Sequence, residues 1–137
     1  MSSQYITQFK KQSLEKRLEM SSNVLKKYPD RCTIIVGKKD GDDLKELDKK
    51  KYICPLDINL AQFTYAIRKK LTLKPEKALF FFINNKIYPS STLMGELYRE
   101  NKENDGFMYA IYCLENTFGA EGTEGTEGTE GTCAYEQ

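Results

Sequence analysis

The chain has 137 residues, enough for one domain built on a single hydrophobic core. Hydrophobic residues make up 39% and charged residues 30%, the composition of an ordinary globular domain, and the formal net charge of +1 argues against a nucleic-acid-binding polycation. The sequence has no signal-peptide core, and no stretch approaches the ~20 apolar residues that span a bilayer. We therefore expect a cytoplasmic protein that acquires any membrane attachment after synthesis.

The residues that usually carry catalysis are sparse. The chain has no histidine, which excludes Ser-His and Cys-His nucleophile pairs. Cys32, Cys54, Cys113 and Cys133 are widely separated and form no Cys-x-x-Cys pair, so we expect no zinc site. Glycine-rich phosphate loops are also missing. We therefore expect that the protein is not an enzyme and that it holds no resident cofactor or metal. A small enzyme that uses carboxylates is the least favoured alternative.

The first 28 residues are expected to form a helical subdomain. The pattern predicts a short helix over Tyr5–Lys10 and a longer helix that starts at the N-cap Ser13 and ends before Pro29. Helical spacing places the apolar face of the longer helix on Leu14, Leu18, Ser21 and Leu25, with Val24 beside it.

Two strands follow, separated by a polar connection, and are expected to pair as a hairpin. They are predicted over Arg31–Val36 and Lys51–Leu56. The alternation of side chains assigns one face of this hairpin to Cys32, Ile34, Val36, Tyr52 and Cys54, and the opposite face to Thr33, Ile35, Lys51 and Ile53.

The second half is predicted as helix, strand, helix and strand. Asn59 and Gln62 have capping-box spacing before a stripe of Leu60, Phe63, Ile67 and Leu71. The apolar run 78–83 predicts a strand covered on both faces. Ser91 or Thr92 is expected to cap a short helix that ends near Asn101, before a final strand over 107–114. The order is that of an α+β protein with a β-grasp fold and two additional N-terminal helices.

The outer face of the hairpin suggests a binding groove. Ile35 and Ile53 are apolar on the side away from the core, and an N-terminal helix is expected to cover them only in part. Partial cover beside a strand edge leaves a place where an extended peptide can add to the sheet.

After Leu114 the sequence becomes polar and repetitive. Four Glu-Gly-Thr triplets occupy 121–132 and are followed by Cys-Ala-Tyr-Glu-Gln at 133–137. This segment has too little apolar surface to offset the conformational entropy that it would lose on folding. Residues 120–137 are therefore expected to form a disordered C-terminal extension that is open to proteases.

Several segments together resemble the autophagy ubiquitin-like modifiers, and among them the GABARAP-type branch. The similarity runs nearly without gaps from about Leu14 to Gly119. It rests on Lys26-Lys-Tyr-Pro-Asp-Arg31, Leu47-Asp-Lys-Lys-Lys-Tyr52, Gln62-Phe63, Ile67-Arg-Lys69, Ala78-Leu-Phe-Phe-Phe-Ile-Asn-Asn85, Met94-Gly-Glu-Leu-Tyr98 and Thr117-Phe-Gly119.

The resemblance implies a ubiquitin-like core over 29–119 and a precursor that is processed. A cysteine protease would cut after Gly119, between Phe118-Gly119 and Ala120, and release 120–137 as a pro-segment. Activating and conjugating enzymes would then attach the Gly119 carboxylate to phosphatidylethanolamine. Without the resemblance, Phe118-Gly119 would be interpreted as an ordinary loop sequence with no functional role.

The resemblance also implies where short aromatic-x-x-aliphatic motifs bind. Met20, Thr33, Cys54 and Ala66 depart from the family's usual residues, so the shapes of the pockets are expected to differ. The alternative for several of the apolar residues, above all Phe63 and Ile67, is that they pack in the hydrophobic core and do not contact a ligand. The aromatic pocket would comprise Met20, Val24, Thr33, Ile35, Lys51, Ile53 and Phe107; the aliphatic pocket Tyr52, Cys54, Pro55, Ile58, Phe63, Ala66 and Ile67; and the basic positions Arg31, Lys49, Lys51 and Lys70.

The implied role is a lipid-conjugated modifier that recruits cargo receptors and assembly factors. It would be a cytoplasmic monomer before conjugation, and would then reside on the autophagosome membrane and in the vacuole or lysosome. The alternative is a non-covalent adaptor for microtubules or membrane receptors that uses its basic N-terminal helices and is never conjugated.

Overall fold

A computed structural model describes residues 1–42 and 44–114, together with the backbone of Ala134 and Tyr135. The predicted succession of elements is confirmed within these ranges, whereas the short last strand was not predicted. The elements are α1 (Gln4–Phe9), α2 (Leu14–Lys27), β1 (Arg31–Lys38), β2 (Lys51–Pro55), α3 (Leu60–Leu71), β3 (Leu79–Phe82), α4 (Met94–Asn101), β4 (Met108–Leu114) and β5 (Ala134–Tyr135).

The strands form one mixed sheet in the order β3-β4-β1-β2-β5. Strand β1 pairs antiparallel with β2, which confirms the predicted hairpin, and places Cys32 opposite Cys54. On its other side β1 runs parallel to β4, with Ile34 opposite Met108. Strand β3 pairs antiparallel with β4 at the far edge. The parallel central pair, with α3 between the hairpin and β3, is the predicted β-grasp arrangement.

The main core lies between the sheet and the helices α3 and α4. The inward face of the hairpin is the predicted one, and Asn59 and Gln62 form the predicted capping box at the start of α3. The core includes Cys32, Ile34, Val36, Tyr52, Cys54, Leu60, Phe63, Ile67, Leu71, Met94, Leu97, Met108 and Tyr112.

Strand β3 is buried on one face and half-buried on the other, so the predicted cover on both faces is confirmed only in part. Leu79 and Phe81 are buried, whereas Phe80 and Phe82 are half-buried. Strand β3 lies at the edge of the sheet, while α1 and α2 contact the central strand β1 on the outer face.

Helix α1 and the loop before it close the outer face. Ile6 and Phe9 pack with Ile35, Phe107 and Tyr109 in a second apolar cluster. The rings of Phe9 and Phe107 meet edge to face, with centroids 5.5 Å apart, an arrangement that aromatic pairs favour.

Helix α2 turns only the C-terminal part of the predicted apolar face inward, and the prediction is wrong for the first two leucines. Leu14 and Leu18 are 43% and 42% exposed, while Ser21 and Val24 are buried. Polar contacts set this orientation, because the Ser21 hydroxyl donates to the Asp105 carbonyl oxygen at 2.6 Å. The predicted N-cap is confirmed, since Ser13 Oγ accepts from the amide of Lys16.

The start of α4 also differs from the prediction. Its N-cap is Leu93, and neither Ser91 nor Thr92 caps the helix through its side chain. The first helical amides instead donate to the loop before α3, from Met94 to the Ile58 carbonyl at 2.8 Å and from Gly95 to that of Leu56 at 2.9 Å. Backbone carbonyls that are distant in sequence thus take the place of a local cap.

Candidate functional site

The edge of β2 that faces away from β1 is the place predicted for peptide addition. In the structure this edge carries β5, which runs antiparallel to β2. Tyr52 lies opposite Tyr135, and Ile53 lies opposite Ala134. The edge therefore accepts an extended segment through main-chain pairing.

The residues predicted for the aromatic pocket come together on the outer face of the sheet. Thr33 lies opposite Ile53, and Ile35 lies opposite Lys51. Met20 packs against the cluster that contains Ile35 and Phe107, and Val24 is a buried residue of α2, which contacts β1. The sequence thus placed these side chains on the correct face.

This outer-face set is closed rather than open. Thr33 is 1% exposed and donates from Oγ1 to the Gly106 carbonyl at 3.1 Å. Ile35 and Ile53 are 0% and 6% exposed, whereas Met20 and Lys51 are half-buried. If an aromatic ring entered here, it would have to displace the flexible side chains of Met20 and Lys51.

The residues predicted for the aliphatic pocket divide into two groups. Cys54, Phe63 and Ile67 are at most 1% exposed and belong to the main core, as do Tyr52 and Ile58. Pro55 and Ala66 are half-buried. Pro55 and Ala66 are thus the more accessible members of this set.

A cavity of about 330 Å³ lies beside the start of β2. Of its lining residues, Lys49, Tyr52 and Lys70 were predicted as site residues, whereas Lys45, Leu47 and Asp48 were not. The available signal was Leu47, an apolar residue in a charged segment, which the structure buries to 3% exposure. With three lysines and one aspartate, the lining favours an acidic ligand.

Side-chain hydrogen bonds hold the loop that forms this cavity. The Tyr52 hydroxyl donates to the Lys49 carbonyl at 2.8 Å, and the Tyr112 hydroxyl donates to that of Lys45 at 2.9 Å. Burial, with a smaller effect from the charge of Glu46, raises the pKa of Tyr112 well above its ordinary value. Tyr112 therefore keeps the proton that it donates to the Lys45 carbonyl at pH values where an exposed tyrosine would lose it.

Basic side chains flank β2 at both ends. Arg31 lies opposite Pro55 in the register, and its guanidinium stacks 5.4 Å from the centroid of the Tyr28 ring. At the other end Lys51 begins the strand and Lys49 is exposed. An extended acidic segment along this edge would meet positive charge at either end.

The cleavage boundary lies outside the described part of the chain. This applies to Phe118, Gly119 and Ala120, and to the rest of the predicted pro-segment except the backbone of β5. Within 1–42 and 44–114, no three or more Cys, Asp or Glu side chains gather where a metal ion could bind. In the same ranges, no helix combines the length and the apolar character that crossing a membrane requires.

Comparison with known proteins identifies the family. Residues 16–119 match the family described as "Autophagy protein Atg8 ubiquitin like". The chain belongs to the Atg8 family. It is 48% identical over 107 residues to autophagy-related protein 8A of Oryza sativa subsp. indica, covering 78% of this chain and 90% of the rice protein. Autophagy-related protein 8 of Schizosaccharomyces pombe is also 48% identical over 107 residues, which cover 78% of this chain and 88% of the yeast protein.

The crystal structure of Trypanosoma brucei ATG8 superimposes with a TM-score of 0.77 at 36% identity, covering 87% of this chain and all of that one. This likeness confirms the ubiquitin-like β-grasp with its added N-terminal helices. Membership of the Atg8 family makes the chain a ubiquitin-like modifier of autophagy, as the sequence resemblance implied. The narrower assignment to the GABARAP-type branch stays a prediction.

Proposed function

We propose that this Atg8-family chain is a precursor that is cut after Gly119 and joined through the new carboxylate to phosphatidylethanolamine. The observation that carries the proposal is that the family match ends at Gly119, whereas the chain continues to Gln137. Strand β4 ends at Leu114, so Gly119 follows the last strand of the core by a segment that reaches about 17 Å when extended.

The proposed chemistry suits a terminal glycine. Hydrolysis of the Gly119–Ala120 bond by a cysteine protease adds one water and leaves a carboxylate on Gly119 and an ammonium on Ala120. The activating enzyme would first join the Gly119 carboxylate to the AMP part of ATP with release of pyrophosphate, and a cysteine thiol would then displace AMP to give a thioester. After transfer to the conjugating enzyme, the lipid amine would displace the thiol to form an amide. Because glycine has no side chain, its carbonyl is unhindered in each of these active sites.

The conjugated protein would recruit cargo receptors and assembly factors through β2. Two features support this step: the edge of β2 accepts an extended segment, and the neighbouring cavity is lined by Lys45, Lys49 and Lys70. Main-chain pairing would supply affinity, while the outer-face set and the lysine-lined cavity would select an aromatic-x-x-aliphatic motif with acidic neighbours. Some of the fully buried residues of the predicted pockets would then support the groove from beneath and would not contact the peptide.

The remaining features of this proposal concern location and partners. The unconjugated chain would be a cytoplasmic monomer without enzymatic activity or a resident cofactor. The conjugated chain would reside on the autophagosome membrane and then in the vacuole or lysosome. Its partners would be the processing protease, the activating and conjugating enzymes and motif-bearing receptors, with no nucleic acid among them.

Substitution of the terminal glycine tests the processing step. We expect Gly119→Ala, expressed in starved cells with an N-terminal tag, to lose at least tenfold in the cut and lipid-bearing forms. The matched control is Gly122→Ala, which changes a glycine of the triplets and should be processed normally. Normal conjugation of Gly119→Ala would remove the proposal and leave the non-covalent adaptor as the better account.

Peptide titration tests the groove. An acidic aromatic-x-x-aliphatic peptide added to the chain 1–119 should shift the backbone amide signals of 51–54. Lys51→Glu should weaken binding about tenfold, since it replaces attraction by repulsion beside the acidic residues. Lys86→Glu is the control, because Lys86 is exposed in the turn after β3, at the other edge of the sheet. Equal loss in both variants would argue against binding at β2.

A further inference from the structure

We infer that Ala134–Tyr135 is an internal occupant of the β2 edge, which competes with extended peptide ligands until the C-terminal segment is removed. The inference rests on the proposed function, because it takes the β2 edge as the peptide site and Gly119 as the cleavage point. It assigns the extension a role: the uncut precursor would be a weaker peptide binder than the processed form.

The pairing of β5 uses the part of β2 that a ligand would need. Tyr135 lies opposite Tyr52 and Ala134 lies opposite Ile53, so the pair occupies the middle of β2. A strand edge offers a single row of main-chain donors and acceptors. Two extended segments therefore cannot pair with the same stretch of β2 at once, and β5 and a peptide exclude each other there.

The position of Gly119 makes the competition depend on processing. Residues 115–133 link β4 to β5, and Gly119 lies within that link. The link reaches about 65 Å when extended, about twice the ~30 Å width of a domain of this size, so its length permits the crossing from β4 to β2. Cleavage after Gly119 breaks the covalent link between β5 and the domain with which it pairs.

The expected strength of the competition is modest. A two-residue pairing is weak, but the tether holds β5 near β2 at an effective concentration in the millimolar range. Once cut, the segment 120–137 is diluted to its concentration in the cell, so the same weak pairing no longer competes. We expect the precursor to bind a peptide about fivefold more weakly than the chain 1–119, the effect of an internal ligand that occupies its site about four-fifths of the time.

Four chains test the inference: full length, 1–119, full length with Ala134→Pro and Tyr135→Pro, and full length with Gly128→Pro and Thr129→Pro. Proline removes the amide donor and disfavours pairing within a strand, so the first double variant disables β5. The second places the same change in the triplets. Each chain is titrated with the acidic aromatic-x-x-aliphatic peptide, and hydrogen exchange at Tyr52 and Ile53 is measured without peptide.

The inference predicts that 1–119 and the β5 double variant bind about fivefold more tightly than full length and than the triplet double variant. It also predicts faster exchange at Tyr52 or Ile53 in those two chains. Equal affinity and exchange in all four, with the peptide still binding at β2, would overturn the inference and leave the proposed groove intact. No peptide binding at β2 in 1–119 would instead overturn the proposed groove, and the competition with it.

Discussion

The Nη1 atom of Arg17 lies 2.6 Å from the Oδ2 atom of Asp105, whose side chain is fully buried. The same carboxylate accepts from the Tyr109 hydroxyl at 2.5 Å and from the Phe107 amide at 2.9 Å. These contacts join α2 to the turn before β4, and the Ser21 hydroxyl adds a bond to the Asp105 carbonyl. This cluster therefore fixes α2 over the outer face of the sheet, where it covers the predicted aromatic pocket.

Removal of Arg17 should destabilise the fold strongly. Arg17→Ala leaves the Asp105 charge buried with its cation missing, and we expect the free energy of unfolding to fall by about 3 kcal/mol. Urea denaturation measures this change. The control is Lys10→Ala, which breaks the Lys10–Glu103 pair at 3.0 Å between side chains 37% and 35% exposed, and should cost less than about 1 kcal/mol. Similar losses in both variants would contradict the role given to Asp105.

The capping box at the start of α3 gives a second prediction. Asn59 Oδ1 accepts from the Gln62 amide, and Gln62 Oε1 accepts from the Asn59 amide, both at 2.9 Å. Asn59→Ala should lower the free energy of unfolding by about 1 kcal/mol. Ser91→Ala is the comparison, because Ser91 was predicted as a possible cap and does not act as one. A larger loss of stability in Ser91→Ala than in Asn59→Ala would contradict the conclusion that Asn59 caps a helix and Ser91 does not.

Close contact at Gly37 gives a third prediction. A Cβ atom on Gly37 would lie 2.2 Å from Ser3 Oγ and 3.0 Å from Ile6 Cγ1. Gly37→Ala should therefore push the N-terminal segment off β1, at a cost of about 2 kcal/mol, with faster hydrogen exchange in α1.

A second substitution tests whether that contact is the cause. Ser3→Gly removes the side chain that the new Cβ meets most closely, so the double variant should recover at least half of the lost stability. The Ser3 hydroxyl is itself buried without a hydrogen-bond partner among the described residues, so its loss removes an unfavourable group. A change in stability of the double variant that equals the sum of the two single changes would refute the steric explanation.

Alkaline pH gives a fourth prediction. Burial, and then the hydrogen bond to Asp105, raises the pKa of Tyr109 far above its ordinary value, and burial likewise raises that of Tyr112. Unfolded tyrosine releases its proton near pH 10, so above that pH the unfolded state binds fewer protons than the folded state. Stability from these groups is therefore fully present below about pH 10 and falls as the pH rises above it.

Urea denaturation between pH 8 and pH 11 measures this fall. The decline should be less steep in Tyr109→Phe, which lacks one of the two groups. Tyr28→Phe serves as the control, because it removes the hydroxyl of an exposed tyrosine, and its stability should fall with pH as steeply as that of the unchanged protein. A slope that is the same in all three proteins would contradict the prediction.

Local patterns predicted most of the fold because the determining interactions are local. The alternation of Thr33 and Ile34 assigned the faces of β1, and the Asn59–Gln62 spacing located the start of α3. The exposed Leu14 and Leu18 were misassigned because the orientation of α2 depends on Asp105, which is distant in sequence.

The site was predictable only in part for the same reason. Strand alternation and the family resemblance identified Lys51 and Ile53, which face the outer side of β2. The cavity wall at Lys45 and Leu47 depends on how Tyr112 and Tyr52 hold a loop, and the pairing of β5 with β2 depends on a contact between distant segments. Periodicity within one segment carries no information about such contacts.

Intact mass spectrometry of the protein from fed and starved cells tests the central claim most directly. The account predicts a species that ends at Gly119 and, after starvation, a heavier species that carries phosphatidylethanolamine on that residue. A single species that ends at Gln137 under both conditions would contradict the account, because neither cleavage nor conjugation would then have occurred.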